Sequence, residues 1–311
     1  MQHLLRAFFM PHTTPHHSIS LCLYLCFMQG YDEQLTELIK AALAEDKGDG
    51  DHSTLSCIPA DARGKAVLKI KENCTLAGIS VAKEILAFVE PSARFVTSKE
   101  DGEAVKAGET AFEASASVHT ILLCERLILN CMQRMSGIAT LTKQYTEKLA
   151  GYHTRILDTR KTTPNFRLLE KEAVKIGGGV NHRMGLYDMI MLKDNHIDYC
   201  GGLEQAIARA FNYVQRVRPG LKIEVETRTI EDVKKVIATG KVDRIMLDNY
   251  SPAQVSEALA LINGRFETEA SGGINLGNLE AYAATGVDYI SAGALIHQAR
   301  SVDLSLKAVI N

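Results

Sequence analysis

The sequence predicts an α/β protein whose second half is a parallel barrel of the TIM type or a relative of it. Beyond residue 150, apolar segments of strand length alternate with helical segments of about ten residues. Repeated strand and helix units form parallel sheets, and about six in succession favour a barrel. An open, doubly wound sheet is the alternative, but no Gly-x-Gly-x-x-Gly motif follows any predicted strand.

Composition and charge limit the function classes. The 311 residues are 46% hydrophobic and 23% charged, which is typical of globular domains. A net charge of -2 provides no overall positive field, so we expect neither nucleic acid nor a membrane as partner. The seven cysteines include no Cys-x-x-Cys pair and no Cys/His cluster at zinc spacing. Reduced thiols and a cytoplasmic location are therefore expected.

The first 28 residues differ from the rest of the chain. The segment Ile19–Met28 is mostly apolar and follows a His-rich stretch, but it is too short to span a bilayer. A signal peptide is the alternative, although no clear small-residue cleavage site follows the segment. We interpret residues 1–28 as an extension of doubtful status. Met28, which opens an amphipathic helix that ends near Glu45, is the expected functional start.

Residues 29–130 have the mixed pattern of an α+β module. After the first helix, alternating residues predict a strand over Lys65–Lys71, and the next apolar period predicts a helix over Ser80–Phe88. Glycine-containing turns then separate short strands. Apolar residues at three- and four-residue spacing predict a long helix over His119–Lys148, which leads into the barrel.

The barrel strands are assigned from the apolar runs. They are Thr154–Asp158, Asp188–Leu192, Lys222–Glu226, Val242–Leu247, Phe266–Ala270 and Val287–Ser291. Helices are predicted over Ile230–Thr239, Pro252–Ile262 and Leu276–Thr285. Proline in the first turn of the second helix, and glycine after the first and third, favour these bounds.

The residues that follow the strands carry the chemistry, because active sites of parallel barrels lie at the carboxyl ends of the strands. In chain order they are Asp158-Thr159-Arg160-Lys161, Lys193-Asp194-Asn195-His196, Glu226, Asp248-Asn249, Ser271-Gly272-Gly273 and Ser291-Ala292-Gly293. Cations come first, acids next and small glycine-containing loops last. Each segment alone could be a helix cap, a turn or a solvated charge. Their ordering over successive strand ends favours one shared site.

Local charge indicates an anionic ligand. Residues 153–193 contain eight Lys or Arg residues and four acids, on an otherwise acidic chain. Such a cluster favours a small polyanion, since Arg binds carboxylates and phosphates with two parallel hydrogen bonds and Lys offers a compact charge. The expected anion ligands are Arg160, Lys161, Arg183 and Lys193. The cations interpreted as solvent-facing are Arg155, Lys171 and Lys175.

The acids and the small loops suggest the rest of the substrate. Glu226 and Asp248 are poor partners for an anion unless sugar hydroxyls or a cation such as Mg²⁺ lie between them. Glu224 shares a strand face with Glu226 and could be the acidic ligand instead. Loops of serine, alanine and glycine at the last two strand ends are typical of phosphate sites in barrels. The substrate is expected to combine a phosphate, a sugar or pyrophosphate, and several carboxylates.

Several segments closely resemble the quinolinate phosphoribosyltransferases, the carboxylating nicotinate-nucleotide pyrophosphorylases of NAD synthesis. The main ones are Asp158-Thr-Arg-Lys-Thr-Thr-Pro, Gly177-Gly-Gly-Val-Asn-His-Arg-Met-Gly-Leu-Tyr-Asp and Lys193-Asp-Asn-His. Further matches are Glu125-Arg126-x-x-x-Asn130, Leu247-Asp-Asn and Ser271-Gly-Gly-Ile. The resemblance extends from about residue 29 to the end of the chain.

The resemblance implies an incomplete TIM-like α/β barrel with an N-terminal α+β open-faced sandwich. The sandwich would comprise residues 29–130, completed by about 295–311, and the barrel residues 131–294. The implied reaction converts quinolinate and phosphoribosyl pyrophosphate into nicotinate mononucleotide, pyrophosphate and carbon dioxide with Mg²⁺. A homodimer, or a higher homo-oligomer, is implied as well.

The resemblance also implies residue roles by motif position. The residues implied to surround the two carboxylates of quinolinate are Arg160, Lys161, His182, Arg183 and Lys193, with Arg126 supplied by the neighbouring subunit. Thr159 is implied to bind substrate as well. Glu226 and Asp248 would bind the ribose hydroxyls and the metal. The phosphate end would bind Ser271, Gly272, Gly273, Ser291, Ala292 and Gly293. The implied catalytic residues are Lys161, Lys193, Glu226 and Asp248. His182 either contacts substrate or has a structural role.

Two other functions remain as alternatives. Lys193 at a strand end could form a Schiff base in an aldolase-like barrel lyase. A paralogue of the same fold could act on nicotinate or serve molybdenum transport, although it would need fewer cations. The paired acids Glu226 and Asp248 argue against the lyase.

Overall fold

The computed structural model describes residues 15–309 of the chain, with side chains from residue 30 onward. The helices are α1 (Pro15–Lys47), α2 (His52–Cys57), α3 (Ile79–Val89), α4 (Val118–Lys148), α5 (Arg167–Ile176), α6 (Asp194–Cys200), α7 (Leu203–Arg216), α8 (Ile230–Thr239), α9 (Pro252–Ile262), α10 (Leu279–Ala283) and α11 (Ala294–His297). The strands are β1 (Arg63–Ile70), β2 (Cys74–Thr75), β3 (Arg94–Thr97), β4 (Ala104–Val105), β5 (Thr110–Ser117), β6 (Arg155–Leu157), β7 (Ile190–Leu192), β8 (Ile223–Thr227), β9 (Arg244–Asp248), β10 (Glu267–Ser271), β11 (Tyr289–Ser291) and β12 (Leu304–Val309).

An antiparallel sheet with strand order β12-β1-β5-β3 forms the N-terminal part of the molecule. Burial alternates along β1 and β5, as in sheets with one face on a core and the other toward solvent. Helix α4 packs against the strands and α3 packs against α4, which leaves Leu68, Ile85 and Phe112 without solvent contact. The last strand of the chain, β12, pairs with β1, with Leu304 opposite Ile70.

Helix α4 connects the two parts of the molecule. Its apolar spacing predicts a helix that begins at His119, and the observed helix begins one residue earlier, where the Ser117 hydroxyl accepts the Thr120 N–H at 3.0 Å. Gly137 is required by packing, because a Cβ at this position would overlap with the carbonyl group of Arg300. The helix therefore supports both the N-terminal sheet and the segment that returns from the barrel.

Six parallel strands form the second sheet, in the order β6-β11-β10-β9-β8-β7. Beyond β6, Val180 forms a further parallel bridge with Leu157. The segment from Val180 to Ile190 then runs from this edge to β7 at the other edge, which is the arrangement of an incomplete barrel. The predicted fold class, an incomplete α/β barrel with an N-terminal sheet domain, is confirmed.

The barrel strands are buried on both faces, as is typical of parallel strands covered by helices. Val225, Ile245 and Ala270 belong to the hydrophobic core. By the two-residue period of a strand, Glu224 and Glu226 share the opposite face of β8. The interior of the barrel is therefore charged, and it opens at the carboxyl ends of the strands.

Two barrel helices have the predicted bounds because their first turns are capped. Thr229 and Asp232 form a reciprocal capping box at the start of α8. Ser251 and Gln254 form another at the start of α9, where Pro252 occupies the first helical position. These caps fix the turns that connect the strand ends to the helices.

Other helices differ from the prediction. The predicted helix Leu276–Thr285 is shorter, since α10 begins only at Leu279. The Asn275 side chain accepts the Gly277 N–H at 2.8 Å, and the Asn278 side chain accepts the Asn275 N–H at 2.8 Å. Asparagine side chains thus bind backbone groups that a longer helix would use. The prediction also omits α2, α5, α6, α7 and α11.

The N-terminal helix differs from the prediction in its start. Helix α1 begins at Pro15 rather than at Met28, and it ends at Lys47. Residues 1–14 of the predicted extension lie outside the described residues, so the status of the extension stays a prediction. Within residues 15–309, no helix is long and apolar enough to cross a membrane.

Candidate active site

A cavity of about 800 Å³ lies at the carboxyl ends of the barrel strands. It brings together all the predicted site residues except Arg126. They are Thr159, Arg160, Lys161, His182, Arg183, Lys193, Glu226, Asp248, Ser271, Gly272, Gly273, Ser291, Ala292 and Gly293. The alternative ligand Glu224 lies below the cavity lining and is fully buried. Arg126 is an exposed residue of α4 and does not line this cavity.

Four cations form one side of the cavity, and we refer to Arg160, Lys161, Arg183 and Lys193 as the cation cluster. Burial and then the neighbouring charge of Arg160 lower the pKa of Arg183. The Nε of Arg160 is buried without a hydrogen-bond partner among residues 30–309. Two guanidinium groups that repel each other in a partly closed space form a favourable place for a bound anion.

A buried ion pair fixes the loop that carries Arg160 and Lys161. The ammonium group of Lys171 donates to Asp158, and both side chains are solvent-inaccessible. Asp158 also accepts the His182 N–H at 2.8 Å, and Lys171 donates to the His182 carbonyl at 3.0 Å. The interpretation of Lys171 as solvent-facing is therefore wrong, because α5 turns this side chain toward the end of β6 instead of toward water.

A second buried contact supports the same loop. Glu170 is fully buried and accepts the Thr163 N–H at 2.8 Å and Arg134 Nε at 2.9 Å. Arg134, on α4, also donates to the carbonyl oxygen of Ile296 at 2.8 Å. The loop after β6 is thus attached to α4, to α5 and to the end of α11, which limits its movement.

His182 lies at the floor of the cavity between two buried glutamates. Its Nε2 lies 2.9 Å from Glu224 Oε2 and 3.3 Å from Glu269 Oε2. The Arg183 N–H donates to His182 Nδ1 at 2.6 Å, so a singly protonated ring carries its proton on Nε2. Nε2 then lies within ion-pair distance of both glutamates, although it makes no hydrogen bond of regular geometry within residues 30–309.

The two glutamates determine the charge of His182. Burial opposes charge on the ring, but contacts with Glu224 and Glu269 outweigh burial and raise the pKa of His182 to about 9. The amide contact at Nδ1 favours the singly protonated ring, yet two buried carboxylates outweigh one amide dipole, so the direction is upward. Burial and then repulsion from Glu269 raise the pKa of Glu224 to about 7.

Arg244 extends the buried group of charges formed by His182, Glu224 and Glu269. Arg244 contacts Glu269 at 3.3 Å and Glu267 at 3.0 Å, and its guanidinium stacks 4.3 Å from the centre of the Tyr289 ring. Sequence reasoning missed Arg244 and Glu269. A signal existed, because Glu267 and Glu269 alternate with Thr268 and Ala270 and so share one face of β10.

Glu226 and Asp248, the acid pair, lie on the neighbouring strands β8 and β9, close to Lys193 of the cation cluster. Burial raises the pKa of Glu226, and the nearby charge of Asp248 raises it further. Burial also raises the pKa of Asp248, while Lys193 opposes the shift. Two half-buried carboxylates that repel each other offer hard oxygen ligands, which suits a divalent cation or sugar hydroxyls.

The glycine loops, Ser271–Gly273 and Ser291–Gly293, close the remaining side of the cavity. Gly272 and Gly273 have φ angles of 97° and 65°, in the left-handed region that favours glycine. A Cβ at Gly293 would lie 3.0 Å from Lys161 Cδ, so the glycine leaves room there. The glycine positions in these loops allow a ligand such as a phosphate to approach backbone N–H groups.

Further residues line the cavity that sequence reasoning did not select. They are Met191, Met246, Glu269, Asn275, Ala294, His297 and Gln298, whereas Asp194, Asn249 and Ile274 were named in the strand-end segments or motifs without an assigned role. His297 follows Gly293 by one turn of α11, so its position depends on the short helix after the last strand. That helix has four residues, and apolar periodicity cannot identify an element of this length.

Two family models match the chain and together cover most of it. Residues 51–136 match the N-terminal domain of quinolinate phosphoribosyl transferase. Residues 138–307 match the C-terminal domain of the same family. The border between the two matches falls within α4, the helix that connects the antiparallel sheet and the barrel.

Proteins similar to this chain are named as quinolinate phosphoribosyltransferases or as nicotinate-nucleotide pyrophosphorylases. The chain is 44% identical over 288 residues to quinolinate phosphoribosyltransferase (decarboxylating) 1b of Nicotiana tabacum, covering 88% of this chain and 82% of that protein. It is also 44% identical, with the same coverages, to the chloroplastic nicotinate-nucleotide pyrophosphorylase (carboxylating) of Arabidopsis thaliana. The crystal structure of NadC from Streptococcus pyogenes superposes with a TM-score of 0.82 at 39% identity, covering 89% of this chain and 98% of that chain. The chain therefore belongs to the quinolinate phosphoribosyltransferase family.

Proposed function

We propose that this protein transfers the phosphoribosyl group of phosphoribosyl pyrophosphate to quinolinate and decarboxylates the product. The products are nicotinate mononucleotide, pyrophosphate and carbon dioxide. The observation that carries the proposal is one cavity that is lined by the cation cluster, the acid pair and both glycine loops. A ligand that matches all three sides has carboxylates, sugar hydroxyls and a phosphate.

The cation cluster binds the two carboxylates of quinolinate, and His182 supports the cluster from the cavity floor, because both of its ring nitrogens face protein groups. Arg160 and Arg183 offer planar donors, and Lys161 and Lys193 offer compact charges from the loops after β6 and β7. So much positive charge suits a dicarboxylate better than the single carboxylate of nicotinate. The same contacts orient the pyridine nitrogen toward the sugar, so a large part of the catalysis is positioning.

The acid pair binds the sugar. Glu226 and Asp248 accept hydrogen bonds from the ribose hydroxyls and stabilise positive charge that develops at the anomeric carbon. The pair also fits Mg²⁺, because two carboxylates that lie close enough to repel each other supply hard oxygen ligands. When bound, Mg²⁺ supplies positive charge that stabilises the pyrophosphate leaving group. The glycine loops bind the 5-phosphate through backbone N–H groups.

The reaction then proceeds in two steps. The lone pair of the pyridine nitrogen forms a bond to the anomeric carbon while the bond from that carbon to pyrophosphate breaks. In the second step the carboxylate beside the ring nitrogen leaves as carbon dioxide. The electron pair stays on the ring carbon next to the positive nitrogen and is protonated by water. Lys161 and Lys193 stabilise the negative charges during both steps, and no enzyme nucleophile is required.

The assembly is a homodimer in which the partner copy completes the site. Arg126 lies on the exposed side of α4, outside its own cavity, which suits a residue that contacts the substrate of another copy. We place the enzyme in the cytoplasm. Five cysteines within residues 30–309 are all free thiols, which supports a reducing compartment.

The lyase alternative has little support in the geometry. A Schiff-base lysine is activated by desolvation or by a neighbouring cation. Lys193 is exposed, and it interacts with both members of the acid pair. Borohydride trapping of a substrate adduct on Lys193 would support that function instead.

The decisive experiment measures carbon dioxide and nicotinate mononucleotide released from quinolinate, phosphoribosyl pyrophosphate and Mg²⁺. Nicotinate is the parallel substrate, and a chelator is the control. We expect turnover of quinolinate alone, lost on chelation. Arg160→Ala should lower kcat/KM by roughly 100-fold or more, whereas Arg155→Ala, exposed at the other end of β6, should leave it unchanged. Turnover of nicotinate, or of neither acid, would favour a paralogue with another substrate.

A further inference from the structure

Asn249 connects two parts of the cavity that bind different groups of the substrate. It directly follows Asp248 at the end of β9, and it lies beside the first glycine loop on the neighbouring strand β10. Its side-chain Nδ2 donates to Asp248 Oδ2 at 2.7 Å. Its backbone N–H donates to the carbonyl oxygen of Ser271 at 2.8 Å.

The conformation of Asn249 makes both contacts possible. Its φ is 59°, in the left-handed region that asparagine tolerates better than most residues other than glycine. This turn directs the amide back toward the carboxylate of the preceding residue. The next residue, Tyr250, is also fixed in place. It is buried, and its carbonyl accepts a hydrogen bond from the Tyr282 hydroxyl at 2.9 Å.

The same amide packs against the glycine loop. A Cβ at Gly272 would overlap with Asn249 Oδ1, and it would lie 2.7 Å from Asn249 Cγ and 2.9 Å from Asn249 N. The loop is held on its other side, where the Gly273 carbonyl accepts side-chain amides of Asn275 and Asn278, each at 3.2 Å. The amide of Asn249 therefore occupies the space between Asp248 and the backbone of the loop.

We propose that Asn249 is a positioning residue for the phosphoribosyl half of the substrate, setting the orientation of the Asp248 carboxylate relative to the Ser271–Gly273 loop. The inference rests on the proposed function, because it assigns Asp248 to the ribose and the loop to the 5-phosphate. Asn249 contacts both partners, Asp248 through its side-chain amide and Ser271 through its backbone N–H, and the Ser271 side chain also hydrogen-bonds Asp248, so phosphoribosyl pyrophosphate encounters a preformed site. Quinolinate binds the cation cluster, to which Asn249 makes no hydrogen bond within the described residues, so its binding should not depend on Asn249.

Two variants test the side-chain amide of Asn249 separately from its left-handed backbone conformation. Asn249→Gly keeps the left-handed conformation and removes the side chain. Asn249→Asp keeps the size and the turn but replaces the donor with a second carboxylate. Asn263 provides the matched control, since it has a φ of 49° at the end of α9, is exposed and does not line the cavity. The control variants are Asn263→Gly and Asn263→Asp.

Binding of phosphoribosyl pyrophosphate with Mg²⁺ is measured by calorimetry without quinolinate, and steady-state kinetics then give KM for each substrate. We expect both Asn249 variants to weaken phosphoribosyl pyrophosphate binding by about tenfold or more. KM for quinolinate should stay within about twofold, as for an interaction made with one substrate only. Both Asn263 variants should resemble the unmodified protein.

The outcomes distinguish the two proposals. Unmodified protein that turns over both substrates, together with Asn249 variants whose phosphoribosyl pyrophosphate affinity is unchanged, overturns this inference and leaves the proposed function intact. An equal loss for both substrates also overturns it, because that result indicates general damage to the site. Unmodified protein that binds no phosphoribosyl pyrophosphate overturns both proposals.

Discussion

The Lys171 ammonium group and the Asp158 carboxylate form an ion pair that solvent does not reach, directly below the loop bearing Arg160 and Lys161. Burial raises the pKa of Asp158 to about 6 and lowers that of Lys171, but each group supplies the counter-charge of the other. Both also bind the backbone of His182. The pair therefore joins the two segments that carry most of the cation cluster.

Removing one partner of this pair should be strongly destabilising. We expect Lys171→Met to lower the free energy of unfolding by about 3–5 kcal/mol, because an unpaired carboxylate would remain buried. Lys175→Met, on the exposed side of the same helix, is the matched control and should change it by less than about 0.5 kcal/mol. Urea denaturation at pH 7 measures both. A loss below about 1 kcal/mol for Lys171→Met would show that Asp158 becomes protonated or hydrated in the variant and does not remain a buried unpaired charge.

The glutamates at the cavity floor should control the protonation of His182. Replacing Glu269 with Gln removes one of the two carboxylates near Nε2, so the pKa of His182 should fall from about 9 toward its usual 6.5. Nitrogen NMR of labelled histidine follows the ring through the titration. His196→Gln simplifies the assignment without touching this cluster. A pKa that stays near 9 in Glu269→Gln would mean that Glu224 alone supports the charge.

The same shift predicts a pH dependence of stability. The folded pKa of His182 is above the unfolded value, so its charged contacts stabilise the fold fully below about pH 6.5. This contribution is lost as the pH rises toward about 9. The difference in unfolding free energy between the unmodified protein and His182→Gln should therefore shrink over that window. A difference that grows with pH would contradict the raised pKa.

Mixing two inactive variants should test the shared site. Arg126→Ala and Lys193→Ala should each abolish turnover. When the two are unfolded together and refolded as mixed dimers, half of the hybrid sites recover both residues, and activity should reach about a quarter of normal. Separately refolded variants are the control. Inactive samples with demonstrated mixed dimers would mean that Arg126 serves the cavity of its own chain.

The N-terminal sheet contains a carboxylate with the opposite pH behaviour. Glu90 accepts the Ser117 N–H at 2.9 Å and Arg63 at 2.6 Å, and these contacts lower its pKa to about 2. A depressed folded pKa stabilises above the unfolded value of 4.5, and the effect is lost as the pH falls toward 2. Glu90→Gln should therefore cost about 1–2 kcal/mol at pH 7, and much less at pH 3. Equal losses at both pH values would assign the effect to packing.

Much of the barrel could be predicted because its strands are apolar runs and its active site follows from their ends. The six strands are observed within two residues of their predicted bounds, and the cavity contains the cations, acids and loops expected there. A strand end is a local property of sequence. Its convergence with other strand ends follows from the parallel topology alone.

The buried charges could not be predicted in the same way. Lys171 and Glu170 occupy adjacent positions of an amphipathic helix, where local pattern favours solvent exposure. Their partners Asp158 and Arg134 come from other parts of the chain. Only the three-dimensional arrangement therefore shows that each buried charge has a partner of opposite charge. Arg244 and Glu269 were missed for the same reason, since their pairing depends on the register of β9 and β10.

The pairing of β12 with β1 has a consequence for the order in which the chain is made. One of the four strands of the N-terminal sheet consists of residues 304–309, so the sheet stays incomplete until the whole barrel has been synthesised. Until then, β1 exposes an edge of unpaired backbone groups, to which strands of other chains can add. A stop codon shortly before Leu304 would leave every residue of the cavity in place and yet release a protein prone to aggregation.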